Sequence, residues 1–349
     1  MTTASEARPV LDDSVRVDGQ TVLVLDRRVF PEKVEWVRAH DAEEVAAAIT
    51  AMVTQSSGPL FAAYAGLEIT ALQVAGLPVA DAAERMRVAG SALASARPTN
   101  AHPREAVERV LRAIEPAAST PELVELAVDA ARSGADLYRR RSRLLGEATV
   151  DLLPDGARLL THCWMDTYLI ELVRAARADG KRFEWVATET RPYLQGARLT
   201  AHTLAEFGER VTLITDGMGA AALAPGSTLG RIDALVTAAD RVSLDGSVVN
   251  KVGTLGLAVA ASAFGVPFHA LVQAPDVNAP TAADIVVEQR DPAEVLSTLG
   301  RRTASGLVTE AWYPAFDVTP PRFVTRVVTD RGAFEPERVR DYFEAEARA

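Results

Sequence analysis

A single cysteine, Cys163, in 349 residues rules out an intrachain disulfide and a cysteine-based metal cluster. The five histidines, His40, His102, His162, His202 and His269, show no His-x-x-x-His or similar ligand spacing, so no metal and no cofactor is expected. Long apolar runs are missing as well: no stretch reaches the ~18 uncharged residues that a membrane helix needs. The opening Met1-Thr2-Thr3-Ala4-Ser5-Glu6 has no signal-peptide apolar core, and the expectation is a soluble cytoplasmic protein with no membrane partner. Positive charge is in the minority, 37 basic against 47 acidic side chains for a net −10, which argues against a protein that neutralises nucleic-acid phosphates. The one basic run, Arg139-Arg140-Arg141-Ser142-Arg143, falls in a helical pattern and reads as a solvated face. Neither a Walker lysine loop nor a Gly-x-Ser-x-Gly elbow is present.

What is present divides at about residue 145. The length suggests about two domains of ~150 residues each. Residues 1–14 are polar and aperiodic and read as a loose arm, 15–145 as an N-terminal hairpin and helical domain, and 146–349 as the larger second domain. Asp18-Gly19 between two apolar alternations predicts a hairpin, with a third strand at Val34-Glu35-Trp36-Val37. Asp41 with Glu44 three positions on predicts a capped helix start, and further helical patterns run over 59–74, 81–94, 103–114 and 121–145.

From about Ala157 short apolar runs alternate with helical segments, the pattern of a parallel sheet with crossover helices. The runs fall at 158–161, 183–187, 211–214, 234–237 and 268–272. Each is followed by a residue able to do chemistry or hold a polar ligand: Cys163, Glu189, Asp216, Asp240 and Gln273. Ligands of open α/β sheets sit outside the carboxyl ends of the strands, so these residues predict a pocket on that rim.

Several of these positions have two readings. Cys163 follows a strand at what reads as a helix start, where a thiolate would be favoured, or it simply packs. Asp240 is either a catalytic carboxylate or the cap of a turn. The stretch after it reads as a turn and then a helix whose first residues, Asn250 and Lys251, either hold an anion or are solvated. Gly217-Met218-Gly219-Ala220-Ala221-Ala222 partly matches a dinucleotide fingerprint, but Pro225 and Gly226 leave its helix too short for the usual crossover. Between Glu189 and Leu199 the side chains of Arg191, Gln195 and Arg198 suit an anionic or polyhydroxylated ligand, unless Arg191 only pairs with Glu189.

Over nearly its whole length the chain resembles the methylthioribose-1-phosphate isomerases, whose superfamily includes ribose-1,5-bisphosphate isomerase and the initiation factor 2B regulatory subunits. The resemblance runs through Asp41-Ala42-Glu43-Glu44-Val45, Arg97-Pro98-Thr99, Thr161-His162-Cys163, the 189–200 segment, Leu213-Ile214-Thr215-Asp216, Ala239-Asp240-Arg241, Asn250-Lys251-Val252-Gly253-Thr254 and Pro314-Ala315-Phe316-Asp317-Val318-Thr319-Pro320. It implies an α/β fold, with a C-terminal Rossmann-like parallel-sheet domain and a smaller N-terminal domain of a hairpin plus helices. It also implies a homodimer, catalytic residues Cys163 and Asp240, and substrate-binding residues Arg97, Gln195, Asn250 and Lys251.

The implied reaction is an aldose–ketose isomerisation of a 5-substituted ribose 1-phosphate. A sugar phosphorylated at C1 has no free hemiacetal, so its ring opens only if an acid protonates the ring oxygen. A buried Asp240 of raised pKa would supply that proton and later recover it, and Cys163 would move hydrogen from C2 to C1 as a proton, with a hydride shift as the other route. The chain departs from the family at the phosphate loop, where Gln55-Ser56-Ser57 replaces Arg-Gly-Ala and removes a fixed cation and a close-approach glycine. It departs again after the cysteine, where Trp164-Met165-Asp166 replaces Asn-Ala-Gly beside the substrate, and at His102, where the family has asparagine. The segment from Cys163 to Glu189 is also shorter. The rival reading is a non-catalytic sugar-phosphate or nucleotide-binding regulatory protein of the initiation factor 2B subunit type.

Overall fold

The computed structural model describes residues 8–97 and 101–345. The chain forms two compact units, Val10–Arg140 and a second made of the described residues from Arg141 onward together with those before Val10. Strands β1 (Val15–Asp18), β2 (Thr21–Leu25) and β3 (Trp36–Ala39) form an antiparallel sheet in that order, with the hairpin closing at Asp18 opposite Thr21. Gly19 takes φ +61° there, as a two-residue turn requires. The third strand starts two residues later than its apolar pattern suggested. The first fourteen residues are not simply a loose arm: residues 1–7 lie outside the described residues, but Val10–Asp13 forms a 3₁₀ turn whose Leu11 is buried, and Ser14 accepts a hydrogen bond from the Leu25 amide at 2.9 Å. One apolar side chain was enough to fasten what composition alone made polar.

Helix α1 (Ala42–Thr50) starts as its sequence predicts. Asp41 accepts the Glu44 amide at 2.8 Å, and Glu44 reaches back to the His40 amide at 2.7 Å. Helix α2 (Gly58–Gln73) is apolar on nearly every side and is buried accordingly, whereas α3 (Val79–Ser95) and α4 (His102–Ile114) bury one face. Helix α5 (Thr120–Val150) runs across the boundary between the units. In the N-terminal unit its Gly134 lies against the ring of Tyr64, where an added Cβ would come within 2.4 Å.

In the second unit seven strands form one sheet in the order β15-β14-β10-β7-β4-β5-β6. They are β4 (Arg158–Thr161), β5 (Glu184–Thr188), β6 (Arg210–Ile214), β7 (Ala234–Ala238), β10 (Phe268–Leu271), β14 (Arg326–Thr329) and β15 (Gly332–Phe334). All pair in parallel except the β15 edge. Helices α6 (Thr167–Ala178), α7 (Ala201–Glu206), α8 (Gly219–Leu223) and α9 (Thr254–Ala263) lie between strands in sequence. The core gathers Leu160, Val186, Leu235, Ala258, Phe268 and Val327. The chain builds β4, β5 and β6 outward in one direction, then returns to place β7 on the other side of β4. The topological switch point, where open α/β sheets bind ligands, therefore falls between β4 and β7.

A second, antiparallel sheet corrects the sequence reading around Asn250. Strands β8 (Arg241–Val242) and β9 (Val248–Lys251) form a hairpin after β7, and β13 (Phe316–Thr319) pairs with β9, setting Asn250 opposite Asp317 and Lys251 opposite Phe316. Asn250 and Lys251 thus end a strand instead of starting a helix. The β-branched pair Val248-Val249 suits the pleat, and its partner lies too far along the chain for a local pattern to reveal. A short hairpin of β11 (Ser297–Thr298) and β12 (Arg301–Arg302) completes the unit. The basic run is also not wholly a solvated face. Arg141 pairs with Asp330 and donates to the Gln273 carbonyl and the Tyr342 hydroxyl, both at 3.2 Å, while Ser142 is buried. No helix among the described residues is long and apolar enough to cross a membrane.

Candidate active site

Cys163 follows β4, and Asp240 follows β7, so the two flank the switch point. Cys163 is not at a helix start, since α6 begins four residues later at Thr167. It sits in a turn of left-handed backbone, with φ +67° at Cys163 and +52° at Asp166, facing another with +62° at Thr190 and +65° at Leu194. Such conformations cost about 1–3 kcal/mol each for residues other than glycine, and Thr190 is β-branched besides. Polar contacts hold them. The Cys163 amide donates to Thr190 Oγ1 at 2.9 Å, Thr200 Oγ1 donates to the Cys163 carbonyl, and Asp216 accepts the amides of Thr190 and Arg191 at 2.7 Å each. Gly196 lets the chain close on this turn, because a Cβ there would lie 1.8 Å from the Thr188 carbonyl oxygen.

His162 ties the cysteine turn to the end of β9. Its Nε2 lies 3.0 Å from the Val252 carbonyl and its Nδ1 2.6 Å from Thr188 Oγ1. Burial pushes its pKa down, so the ring is neutral, with Nε2 donating to the carbonyl and Nδ1 accepting from the hydroxyl. Gly253, at φ +110°, makes room for it: a Cβ would approach the ring to 2.9 Å.

Lys251 is buried, with its ammonium 4.9 Å from the ring centre of Phe316 and 5.9 Å from that of Tyr313. Among the described residues it has no carboxylate within ion-pair distance. Asn250, also buried, donates to Thr254 Oγ1 at 3.0 Å, and Thr254 Oγ1 donates to the Lys251 carbonyl at 2.7 Å. The anion site expected at the following helix start is already filled from within. Asp317 accepts the Gly253 amide at 2.7 Å and the Leu255 amide at 3.1 Å, taking the unpaired amides of α9 for itself. Burial pushes the Asp317 carboxyl up from 3.8 to about 6 against these hydrogen bonds and the Lys251 charge, which pull it down. A carboxyl raised on folding binds its proton more tightly in the native state, so its contribution to stability falls as pH rises through that window. Wild-type protein is expected to lose stability relative to Asp317→Asn between about pH 4 and pH 6, as read from denaturant midpoints across that range.

The thiol of Cys163 is not the thiolate that a helix start would favour. Although the residue is only half-buried, desolvation of the sulfur pushes it up to about 12; the Lys251 ammonium and the Trp164 amide pull it down, while Asp240 and Asp216 push it further up. Lys251 and Asp240 are thus the near charges acting on this sulfur. Asp240 itself is exposed, not buried as the sequence reading had it. Its amide donates to the Val249 carbonyl at 2.9 Å, which ties the backbone after β7 to β9.

The remaining candidates divide. Gln195 is buried at 6% exposure, and among the described residues its Oε1 has no hydrogen-bond partner. Trp164 is buried beside Cys163. Glu189 has its pKa raised by burial and by Asp216, against the pull of Arg191. Arg191 makes no ion pair with Glu189 among the described residues; it donates to the carbonyls of Val295 and Ser297 at 3.0 Å each. Gln273 serves packing, donating to Ser142 Oγ at 3.0 Å. In the N-terminal unit Gln55 and Ser57 are buried, and Ser56 takes φ +55° in the turn before α2. The Gln55 carbonyl accepts from the buried Arg27 at 2.9 Å, and its Nε2 has no hydrogen-bond partner among the described residues. His102 Nδ1 lies 3.4 Å from the Ser56 carbonyl. Arg97 is half-buried after α3, and Pro98 and Thr99 lie outside the described residues. Composition gave no sign of Thr190, Thr200 or His162 as supports of the cysteine turn. Asp317 did stand in a recognisable segment.

The sequence matches the Initiation factor 2 subunit family over residues 58–336. The methylthioribose-1-phosphate isomerase of Anaeromyxobacter sp. (strain K) is 40% identical over 346 residues, 95% of each chain. Among solved structures, the 5-methylthioribose 1-phosphate isomerase from Pyrococcus horikoshii OT3 is 30% identical with a TM-score of 0.86, covering 95% of this chain and 94% of that one. The translation initiation factor eIF-2B subunit delta from A. fulgidus is 33% identical with a TM-score of 0.81, covering 93% and 96%. Fold and kinship together define an α/β isomerase. The chain belongs to the initiation factor 2 subunit family.

Proposed function

We propose that the chain is an aldose–ketose isomerase of a 5-substituted ribose 1-phosphate, of the methylthioribose-1-phosphate kind. Asp240 acts as the acid and base of ring opening, and Cys163 governs hydrogen transfer from C2 to C1. The observation that supports this most is that a thiol and a carboxylate follow the two strands flanking the switch point, with a buried ammonium acting on the same sulfur. In the reaction Asp240 gives a proton to the ring oxygen, the C2 hydrogen moves to C1, and the proton of the C2 hydroxyl returns to Asp240. The product is an isomer and no external reductant is needed. A solvent-facing carboxylate can exchange its proton between turnovers.

A thiol pushed up to about 12 keeps its proton near neutral pH, so little thiolate is present to act as a base. For Cys163 to carry a proton, Lys251 must offset the cost of burying the thiolate; a hydride shift needs no ionisation of the sulfur. Lys251, Asn250 and Gln195 would hold the anion and hydroxyls of the substrate; for Arg97 and Gln55-Ser56-Ser57, in the N-terminal unit, substrate binding rests on the family resemblance alone. A cytoplasmic location and a homodimer accompany this reading, the second to be measured by light scattering.

Incubation with methylthioribose 1-phosphate, followed by proton NMR in deuterated buffer, is expected to show ketose. Deuterium at C1 of the product would mark the proton route, and its absence the hydride route. Formation of no ketose from this substrate or from unphosphorylated 5-substituted riboses, with ligand binding unchanged in Cys163→Ser and Asp240→Asn, would assign the chain instead to a regulatory role. The likeness to the subunit named for A. fulgidus favours that second reading.

A further inference from the structure

We infer that Tyr313 is a further catalytic residue of this site, its hydroxyl donating a hydrogen bond to the substrate oxygen at C2 as that oxygen becomes a carbonyl; the inference rests on the isomerase reading above. Tyr313 comes from the segment before β13, and only 4% of its surface is exposed. Among the described residues no hydrogen bond reaches its hydroxyl, and that oxygen is not one of the sealed polar atoms, so it meets accessible space where a ligand oxygen can take the place of water. The ring does have a place: it lies 5.9 Å from the Lys251 ammonium, beside Phe316 at 4.9 Å, so the two rings flank the cation that acts on the Cys163 sulfur.

The Cys163 sulfur and Tyr313 are near enough to act on one another electrostatically. Burial pushes the phenol up, with Glu294 adding to the rise and Arg290 opposing it, so it keeps its proton and has one to donate in a hydrogen bond. A neutral donor in this position matches the need of the reaction. The C2 oxygen changes from hydroxyl to carbonyl as hydrogen leaves C2 and its own proton returns to Asp240. A donor already aimed there stabilises the change without moving a proton itself. Tyr313 begins and ends the cycle protonated, so the balance of atoms is unaltered.

Tyr313→Phe deletes the hydroxyl and keeps the ring against Lys251. On methylthioribose 1-phosphate it is expected to lower kcat by about 10²-fold, the effect of removing one preorganised donor, with KM within about twofold of wild type. Phe316→Leu, which disturbs the other ring on Lys251 and removes no hydroxyl, is expected to act mainly on KM. A kcat for Tyr313→Phe within about twofold of wild type, or the same kcat loss in both variants, would overturn the role of the hydroxyl while leaving the isomerase reading intact. Absence of turnover by the wild-type chain would overturn both.

Discussion

Asp240→Asn is expected to lower turnover of methylthioribose 1-phosphate by about 10²–10⁴-fold, the range for loss of one positioned acid or base. The amide keeps the size of the side chain and the Asp240 backbone bond to Val249, so the strand end is undisturbed. What it loses is the ability to give and take a proton. The defect should therefore fall on kcat and kcat/KM together, with KM little changed. Cys163→Ser should cost a comparable factor if the sulfur carries hydrogen, and much less if hydrogen moves directly between the carbons. Stopped assays on both variants, with thermal melts as the check on folding, separate these cases. Full activity in Asp240→Asn would end the proposed mechanism.

The second large effect concerns the sulfur alone. Raising a thiol from 9.0 to about 12 lowers its thiolate fraction at pH 8 by about 10³-fold, and only the thiolate is alkylated. The scarcer thiolate is also the more nucleophilic, so iodoacetamide should modify native Cys163 at least about tenfold more slowly than the same residue in guanidinium-unfolded chain. Because the chain has a single cysteine, the adduct measured by mass spectrometry reports this site and no other. Lys251→Met should slow the reaction further, since the ammonium is the largest influence pulling the thiol down. Equal rates in folded and unfolded protein would contradict the burial of the sulfur.

Much of this site was legible in the linear chain because strand ends advertise themselves. Apolar runs at 158–161 and 234–237, each followed by a polar residue, place Cys163 and Asp240 on one rim before any coordinates exist, and β4 and β7 lie there. Other features depended on partners distant in sequence. Asn250-Lys251-Val252-Gly253 before an apolar helix looks like a helix entry, and only pairing with Phe316–Thr319 turns it into a strand. Arg141 reads as one of a solvated run until Asp330 is found beside it. Of the two readings of Cys163, the favoured thiolate fails because the state of the thiol depends on desolvation, which no spacing encodes. For the same reason Asp240 was thought buried: a carboxylate at a strand end can face in or out, and the chain order does not distinguish the two. Strand β14 escaped notice because Arg326 and Thr329 enclose only two apolar residues.

The rings of Tyr313 and Phe316 beside the Lys251 ammonium also set how the protein meets dissolved ions. With a net charge of −10 the surface repels an approaching anion, and mobile salt weakens that repulsion beyond about 10 Å at ~0.1 M. The sheltered ammonium lies out of reach of that screening. Under the proposed function, ionic strength would therefore govern the approach of an anionic substrate, while its hold would be set by a cation that the surrounding electrolyte barely touches.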